Sequence, residues 1–395
     1  MNSVYSSLGT TIFETVSEAA RRTGAVNLGQ GFPDDPGPED VRRAAAEAVL
    51  DGWNQYPPML GLPTLREAIA AHYAHHQDLA IDPMREVLVT SGATEAIAGA
   101  LLALIEPGDE VILVEPMYDA YLPLVQRAGG VARFVTLAPP DWTIAREALD
   151  AAVTDRTRLI LFNNPLNPAA RVYTRDELAV LAGFCVAHDL IAICDEVWEH
   201  VVFDGRRHVP LIGLPGMRER TVKIGSAGQI FSLTGWKVGW SIAAQPILQQ
   251  LAKTHQFLTF TTPPNLQAAV AYGLGKDDAY FTGMRAAFQR SRDRLADGLR
   301  EIGLEVLPSE GSYFLNVDIA LLGEMDDAAF ALRLIDDPGV ATIPVSAFMQ
   351  GTRMGTSTLL RFCFAKKDAT LDAALERLAC LATRLHADER RGGSH

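Results

Sequence analysis

The chain has 395 residues, of which 48% are hydrophobic and 21% are charged, a composition typical of a soluble globular protein. This length exceeds what one compact core usually holds, so two closely associated lobes are expected. The formal net charge of −13 argues against a general nucleic-acid-binding protein, which would present a basic face. The longest apolar runs are strand-sized, and the N-terminus lacks a basic segment followed by an apolar one. Neither a membrane span nor a secretory signal is therefore expected.

The cysteines and histidines give no sign of a disulfide framework or a metal centre. Cys185 and Cys194 lie in apolar segments and are interpreted as small buried side chains, which fits a reducing, cytoplasmic setting. His72, His75 and His76 follow helical spacing. This group is typical of a solvated helix face, and no metal site is expected there.

Between about residue 60 and residue 250, apolar strand-sized runs alternate with helical patterns. In chain order the pattern predicts a helix over residues 65–73, a strand over 86–90, a helix over 95–104, a strand over 110–114, a helix over 121–128, strands over 131–135 and 159–162, a helix over 176–188, and strands over 192–194, 221–224 and 239–243. Such alternation predicts a mostly parallel sheet covered by helices on both faces.

After residue 246 the strict alternation is lost. The pattern predicts helices over residues 247–257, 266–274, 280–302, 326–334 and 371–385, and strands over 305–307, 312–317, 341–343 and 359–364. A smaller α+β lobe is therefore expected. The predicted division is an N-terminal arm and part of the small domain at 1–40, a large domain at 41–280, a small C-terminal domain at 281–389, and a disordered tail at 390–395, which has no apolar anchor.

Ligands of open parallel sheets bind beyond the carboxyl ends of the strands, so the residues that follow strands carry the functional argument. At residues 89–95 a strand turns into a helix through Ser91, Gly92 and Ala93. The N–H groups of such a helix start can bind an anion, although an ordinary helix start capped by Thr94 is the simpler interpretation. At residues 163–168, two Asn-Pro steps indicate a rigid turn, which is either structural only or places an Asn amide over a ring oxygen.

Two further junctions carry charged residues. Asp195 follows an apolar strand, and a buried carboxylate there needs a partner, either a helix cap or a protonated ring nitrogen. Residues 225–240 contain two early glycines, Ser226 and Lys237, which together could bind phosphate. Each junction is a weak signal alone, whereas the order and spacing of all four are specific.

Together with residues 11–13, 27–34, 54–56, 310–314 and 361–366, the four junctions resemble the fold-type I pyridoxal-phosphate-dependent aminotransferases of class I/II. Within that family the chain looks close to the kynurenine/glutamine and methionine aminotransferase group, and the resemblance covers nearly the whole chain. The resemblance implies an α/β fold with a large domain built on a seven-stranded, mostly parallel sheet, a smaller α+β domain, and a homodimer with shared active sites. The implied cofactor is pyridoxal 5′-phosphate.

The resemblance also implies roles for individual residues. Those that hold the cofactor phosphate are Ala93, Thr94, Ser226, Lys237 and, from the partner subunit, Tyr56. Tyr118 stacks on the pyridine ring, Asn167 donates to its phenolic oxygen, and Asp195 pairs with its protonated nitrogen, which makes the ring an electron sink. The residues that contact the substrate are Phe13, Gly31, Asn167 and Arg361, whose planar guanidinium suits the substrate carboxylate.

The chain departs from this family at Gln229, where the family has the Schiff-base lysine. An amide can neither form the imine nor carry the proton, so this chain is expected to be inactive or crippled. Because most other expected contacts are present, a Lys-to-Gln variant that traps an external aldimine is favoured over a natural chain that has given up transamination. Trp198 is at a cofactor-binding position where the family usually has a tyrosine that donates to the phenolic oxygen, and its indole N–H can only donate. Ala170 replaces the usual glycine.

The predicted activity is transfer of an amino group between an α-amino acid and a 2-oxo acid. Phe13, Phe32 and Tyr118 favour an apolar, aromatic or sulfur-containing side chain, and the absence of a second identifiable arginine disfavours aspartate. One alternative is β/γ-elimination, replacement or carbon–carbon bond formation with the same cofactor in secondary metabolism, which the change at Trp198 leaves open. Another is a catalytically silent cofactor-binding protein.

Overall fold

The computed structural model describes residues 2–350 and 357–381. The predicted tail at residues 390–395 and the end of the helix predicted at 371–385 lie outside the described residues. Within them, no helix combines the length and the apolar character that a bilayer crossing requires.

The strands of the described chain are short, and most are buried. In chain order they are β1 (Val26–Asn27), β2 (Val87–Thr90), β3 (Glu110–Glu115), β4 (Val131–Thr136), β5 (Thr157–Asn163), β6 (Ile191–Asp195), β7 (Thr221–Ser226), β8 (Gly239–Ile242), β9 (Glu305–Val306), β10 (Phe314–Asp318), β11 (Val340–Ala341), β12 (Ile343–Pro344) and β13 (Leu359–Cys363).

The helices range from single turns to one of 24 residues. They are α1 (Ser3–Ser6), α2 (Ile12–Thr23), α3 (Glu39–Asp51), α4 (Pro63–Gln77), α5 (Gly92–Leu104), α6 (Tyr121–Arg127), α7 (Arg146–Ala152), α8 (Arg175–Ala187), α9 (Ala227–Ile230), α10 (Gln245–Leu258), α11 (Pro264–Leu274), α12 (Asp278–Glu301), α13 (Asp327–Asp336) and α14 (Asp368–Leu378).

The central sheet has seven strands in the order β2-β8-β7-β6-β5-β3-β4. The pairs from β7 through β4 are parallel, whereas β8 runs antiparallel to both of its neighbours. Strands β3, β5, β6 and β7 are almost entirely buried on both faces, and the first three have continuous apolar runs, as expected where helices cover a parallel sheet. This is the predicted α/β architecture, and the sheet has the seven, mostly parallel strands that the family resemblance implies.

A second, antiparallel sheet has the order β12-β13-β10-β9, and β1 pairs in parallel with β11. The strand predicted over residues 341–343 is in fact two short strands, β11 and β12, which pair with different partners. Helices α2, α3 and α7 were not predicted individually. Helix α2 is capped at its N-terminus by Thr11, whose hydroxyl oxygen accepts a hydrogen bond from the Glu14 N–H, and it is followed by Gly24 in the left-handed conformation.

The buried residues confirm part of the sequence interpretation and correct another part. Cys185 and Cys194 are buried as expected. His72, predicted to lie on a solvated helix face, is instead only 3% exposed. Its ring Nε2 lies 2.7 Å from Nε2 of His200, so helix α4 turns this histidine toward the protein interior.

Candidate active site

A cavity of about 470 Å³ opens at the carboxyl ends of β2, β5, β6 and β7, where the four junctions of the sequence analysis converge. All residues that the sequence analysis assigned to the site line this cavity, except Tyr56. These are Phe13, Gly31, Ala93, Thr94, Tyr118, Asn167, Asp195, Trp198, Ser226, Gln229, Lys237 and Arg361. Phe32, Asp119, Tyr121 and Phe314 complete much of the remaining wall.

Asp195 ends β6 and is 6% exposed. Its Oδ2 accepts a 2.6 Å hydrogen bond from the Tyr121 hydroxyl, and its Oδ1 accepts a longer one, 3.4 Å, from the Val197 N–H. Burial raises the pKa of this carboxyl group to about 6, although both hydrogen bonds oppose that shift. Among the described residues, no basic side chain forms an ion pair with it. Asp195 is therefore a buried carboxylate that lines the cavity without a cation.

Asn163 ties the neighbouring turn to the strand that carries Asp195. Its amide nitrogen donates to the Asp195 carbonyl oxygen at 2.7 Å, and its amide oxygen accepts from the Asn167 N–H at 2.7 Å. Asn167 in turn uses its own Oδ1 to accept a 3.0 Å bond from Arg361. Because that oxygen is engaged, the Asn167 NH₂ group is the part left to donate to a ligand.

The other end of the cavity is suited to an anion. Helix α5 has 13 residues and begins at Gly92, with Ala93 and Thr94 in its first turn. A Cβ atom at Gly92 would lie 3.2 Å from Lys237 Nζ, so the ammonium group stands directly over the helix N-terminus. Ser226 Oγ accepts from the Gly228 N–H, which leaves its O–H free to donate. Helix N–H groups, a cation and a hydroxyl together form a phosphate-binding arrangement.

Gly239 makes this close approach possible. A Cβ atom there would lie 2.7 Å from the Gly92 carbonyl carbon and 2.8 Å from the Ala93 nitrogen, distances that a side chain cannot occupy. The antiparallel strand β8 can thus pass directly behind the start of helix α5.

Tyr118 and Trp198 are two of the large aromatic side chains of the cavity wall that belong to the predicted site. The Tyr118 ring meets the Tyr121 ring edge to face at 5.8 Å. Trp198 packs edge-on against Tyr313 at 4.4 Å and against Phe314 at 5.6 Å between ring centroids. Both residues offer flat apolar surface to a ligand, and the indole N–H of Trp198 can act only as a donor.

Arg361, on β13, is 2% exposed and has no carboxylate partner among the described residues. It donates to the Asn167 Oδ1 and, at 2.9 Å, to the Gly29 carbonyl oxygen, while its Nε is buried without a partner. The guanidinium carbon lies 4.0 Å from the Phe314 ring centroid, and the rings of Phe13 and Phe348 are also close. Burial lowers the pKa of Arg361 to about 10, which still leaves it charged at neutral pH.

Gly31 keeps the space beside Arg361 open. A Cβ atom at Gly31 would lie 2.9 Å from the Phe314 ring and 3.8 Å from a terminal nitrogen of Arg361. Any side chain at this position would crowd the approach to the guanidinium group.

Gln229 lies on the short helix α9, whose backbone is fixed by its surroundings. Its carbonyl oxygen accepts a 2.7 Å hydrogen bond from the Tyr313 hydroxyl. Its side-chain Oε1 is buried and has no hydrogen-bond partner. A buried amide oxygen without a partner is unfavourable, so the surroundings of position 229 are not arranged around glutamine.

These residues fit pyridoxal phosphate. The two ends of the cavity hold a buried carboxylate, Asp195, and an anion site around Lys237, while the buried cation Arg361 lacks a counter-ion in the described chain. A protonated ring nitrogen, a phosphate group and a substrate carboxylate would supply the three missing partners.

Tyr121 and Phe314 were not predicted as site residues from the sequence. Tyr121 was predicted only as the first residue of a helix, and its contact with Asp195 spans 74 positions of the chain. The one available signal was its position three residues after Tyr118, which is one helical turn. Phe314 lay inside a motif of the family resemblance but was given no role.

Comparisons with known proteins agree with this geometry. A sequence model of the family "Aminotransferase class I and II" matches residues 23–378. A Mycobacterium tuberculosis protein named "Probable N-succinyldiaminopimelate aminotransferase DapC" is 46% identical, over 95% of this chain and 97% of its own length. The methionine aminotransferase of Escherichia coli is 40% identical (94% and 96% covered), and the human kynurenine–oxoglutarate transaminase 1 is 38% identical (89% and 91% covered).

Solved structures show the same relationship. The structure of N-succinyldiaminopimelate aminotransferase from M. tuberculosis superimposes with a TM-score of 0.93 at 45% identity, covering 96% of this chain and 100% of that one. The E. coli methionine aminotransferase YbdL gives a TM-score of 0.93 at 39% identity, covering 96% and 99%. The chain therefore belongs to the class I and II aminotransferases, which are pyridoxal-phosphate-dependent enzymes of fold type I.

Proposed function

We propose that this chain has the active site of an aminotransferase for α-amino acids with apolar, aromatic or sulfur-containing side chains, and that it represents a Lys-to-Gln form of such an enzyme. In this form the amino acid and the cofactor remain bound together instead of turning over. The observation that carries the proposal is the pair of buried, oppositely charged residues in one cavity, Asp195 and Arg361, neither of which has an ionic partner in the described chain.

Each of these residues has a definite task in the proposed reaction. When bound, pyridoxal phosphate supplies the aldehyde that takes up the amino group and the ring that accepts electrons from the α-carbon. Asp195 holds a proton on the ring nitrogen, and Tyr121 holds Asp195 in place. Arg361 binds the substrate carboxylate, so the α-carbon is presented in a fixed orientation.

The family's lysine at position 229 would bind the cofactor covalently and move the proton at the α-carbon. Gln229 has a neutral amide that does neither. Loss of general acid–base catalysis alone lowers a rate by roughly 10²- to 10⁴-fold. Lys223 is no substitute, because it is buried in contact with Glu196 and Glu199.

The side-chain preference rests on the cavity wall. Phe13, Phe32, Trp198 and Phe314 supply apolar surface, and Arg361 is the only arginine among the described residues that line the cavity. Without a second arginine, a distal carboxylate would have no forked partner, which disfavours aspartate. The names of the relatives include methionine and kynurenine as substrates, which agrees with this preference, and also N-succinyldiaminopimelate.

We also propose that the protein is a homodimer with shared active sites. Tyr56, which the family resemblance assigns to the partner subunit's cofactor phosphate, is 78% exposed and does not line its own cavity. It packs edge-on against Phe260 at 5.4 Å. The nearby sequence also contains Trp53, which is 72% exposed. Large exposed aromatic side chains of this kind are typical of subunit contacts.

The test compares the chain as it stands with the variants Gln229→Lys and Gln229→Met, the second being a control of similar length without a nucleophile. Each is loaded with pyridoxal phosphate and given methionine, phenylalanine, kynurenine or N-succinyldiaminopimelate, with pyruvate as acceptor. The Gln229→Lys variant is expected to form 2-oxo acid at least about 100-fold faster than the other two forms. The unsubstituted chain is expected to give only a lasting change in visible absorbance.

The same assay separates the alternatives. Release of ammonia or formation of an adduct by the Gln229→Lys variant would favour elimination, replacement or carbon–carbon bond formation, to which the replacement of tyrosine by Trp198 is relevant. Cofactor binding without turnover in every form would favour a silent binding protein. Failure of all forms to bind the cofactor would contradict the proposal as a whole.

A further inference from the structure

The histidines at the end of helix α4 meet the beginning of helix α12 outside the active site. His75 is exposed, and its Nε2 lies 2.8 Å from Oδ1 of Asp278, the first residue of α12. His76 follows in the chain and is half-buried. One nitrogen from each histidine and one oxygen from Asp278 all lie within 4.8 Å of one another.

His76 is held in place by packing on its inner side. Its ring centroid lies 4.4 Å from that of His72, 5.1 Å from His200 and 4.7 Å from Phe281. The outer side of the group is formed by His75 and Asp278, whose side chains are 62% and 68% exposed and therefore free to adjust. One donor is thus fixed by its neighbours, and two can move toward it.

We propose that His75, His76 and Asp278 form a binding site for a divalent transition-metal ion such as Zn²⁺. Two imidazole nitrogens and one carboxylate oxygen are ligands that Zn²⁺ accepts, with water in the fourth position. Ligand distances of about 2.0–2.2 Å require the donor atoms to approach each other more closely than 4.8 Å. Rotation of the exposed His75 and Asp278 side chains provides this closure. Mg²⁺ and Ca²⁺, which prefer oxygen ligands, are not expected to bind here.

The electrostatic surroundings are mixed. Arg285 lies about two helical turns along α12 from Asp278. Its positive charge interacts with both His76 and Asp278 and opposes the binding of a metal cation. The carboxylate of Asp278 offsets part of this repulsion. Metal binding is therefore expected to need all three donors, and removal of any one is expected to lower the affinity for Zn²⁺ strongly.

A second group of the same residue types carries no such proposal. Glu196, Glu199 and His208 also bring their donor atoms together, but the ammonium group of Lys223 lies 2.5 Å from Glu196 and 2.7 Å from Glu199. The Lys223 ammonium group therefore already occupies the place that a metal ion would take between these carboxylates. Within the described residues, the group at His75 is the one whose donors face outward with no lysine among them.

Metal binding at this site would connect two helices that lie far apart in sequence. The link would tie the last turn of α4 to the first turn of α12, about 200 positions later in the chain. Because the site exists only in the folded chain, the ion would also stabilise the fold, by an amount that grows with the logarithm of the ion concentration above the dissociation constant.

The test is calorimetric titration of the full-length, cofactor-loaded protein with ZnCl₂, and with MgCl₂ in parallel. We expect one Zn²⁺ site whose affinity falls at least tenfold in His75→Ala and in Asp278→Asn. These exposed positions can be changed without disturbing the fold, which circular dichroism checks. His76→Ala is expected to weaken binding as well.

Two further variants serve as controls. His188 faces Asp150 at 3.8 Å in a similar surface pair to which the described part of the chain adds no third metal-binding donor, and Cys380 is an exposed thiol. His188→Ala and Cys380→Ser are expected to bind Zn²⁺ like the unsubstituted chain. The proposal is overturned if no Zn²⁺ site is found, if binding is unchanged in His75→Ala and Asp278→Asn, or if it is the Cys380→Ser variant that loses the site.

Discussion

The Tyr121 hydroxyl donates a 2.6 Å hydrogen bond to Oδ2 of Asp195, and both side chains are buried. Tyr121 begins helix α6, whereas Asp195 ends strand β6, so the bond joins two elements that both contribute to the cavity wall. Burial raises the pKa of the Tyr121 hydroxyl well above its ordinary value, so this group stays protonated and remains a donor. The carboxylate is thereby held in one orientation.

The first prediction concerns this bond. Tyr121→Phe is expected to weaken pyridoxal phosphate binding by about tenfold or more, because hydrogen bonds to charged groups contribute about 1.5–3 kcal/mol. The dissociation constant can be measured by fluorescence titration. Tyr173→Phe is the matched control, since the buried Tyr173 hydroxyl donates instead to the Trp142 carbonyl oxygen away from the cavity. Equal affinities in all three proteins would show that Tyr121 does not position Asp195 for the cofactor.

The second prediction concerns the stability of the cofactor-free protein as a function of pH. Because burial raises the pKa of Asp195 to about 6, its protonated form favours the folded state, and this contribution is lost as the pH rises through about 6. The free energy of unfolding of the unsubstituted chain, relative to Asp195→Asn, should therefore fall by up to about 3 kcal/mol between about pH 4 and pH 7.5. Urea unfolding measures this difference. Parallel pH profiles for the two proteins would contradict the raised pKa.

The third prediction concerns Arg361. Arg361→Lys keeps the charge but loses the planar fork and the contacts with Asn167 and Gly29. The affinity of the cofactor-loaded protein for methionine is expected to fall at least about tenfold, because charged hydrogen bonds are lost, while the affinity for pyridoxal phosphate changes little. Titration by visible absorbance gives both constants. A variant that lost cofactor and amino acid equally would place Arg361 in the cofactor site instead.

The fourth prediction concerns the buried ion pairs behind Asp195. Lys223 is fully buried between Glu196 and Glu199, so Lys223→Met would remove the ammonium group that the two carboxylates share. The free energy of unfolding is expected to fall by about 3–5 kcal/mol. Lys276→Met, which removes a more exposed pair with Asp40, is expected to cost only about 0–1 kcal/mol. Chemical denaturation of both variants decides whether burial accounts for the difference.

The fifth prediction concerns the proposed dimer. Tyr56→Phe removes only a hydroxyl group from an exposed side chain, yet it is expected to weaken pyridoxal phosphate binding about tenfold, because that hydroxyl would donate to the partner subunit's phosphate. The unsubstituted protein should show the same loss when it is diluted until it dissociates. Sedimentation at matched concentrations reports the oligomeric state. An effect of dilution without an effect of Tyr56→Phe would retain the dimer and remove the shared site.

The sequence predicted most of the central sheet and most of the cavity wall. Strands such as β5 and β6 contain local apolar runs, and the residues at or shortly after their carboxyl ends, including Asp195 and Asn167, are placed by the chain itself. The expected domain boundaries stay a prediction, as do the individual roles of the site residues.

What the sequence did not predict depends on contacts between distant parts of the chain. The burial of His72 follows from its contact with His200, 128 positions away, and no local pattern reveals such a partner. Tyr121 was missed for the same reason. Helix α3 was missed because its apolar positions are mostly alanine, and among these Ala45 is buried, a weak signal for a core-facing stripe.

The Tyr313 hydroxyl donates its hydrogen bond to the backbone carbonyl oxygen of Gln229 and not to the side chain. The backbone conformation of helix α9 can therefore be kept when the side chain at position 229 is changed, because this hydrogen bond does not depend on that side chain. Lysine and glutamine codons differ by a single base. A single mutation can thus replace lysine with glutamine at position 229, or glutamine with lysine. Either change removes or restores the nucleophile while the rest of the pocket stays the same.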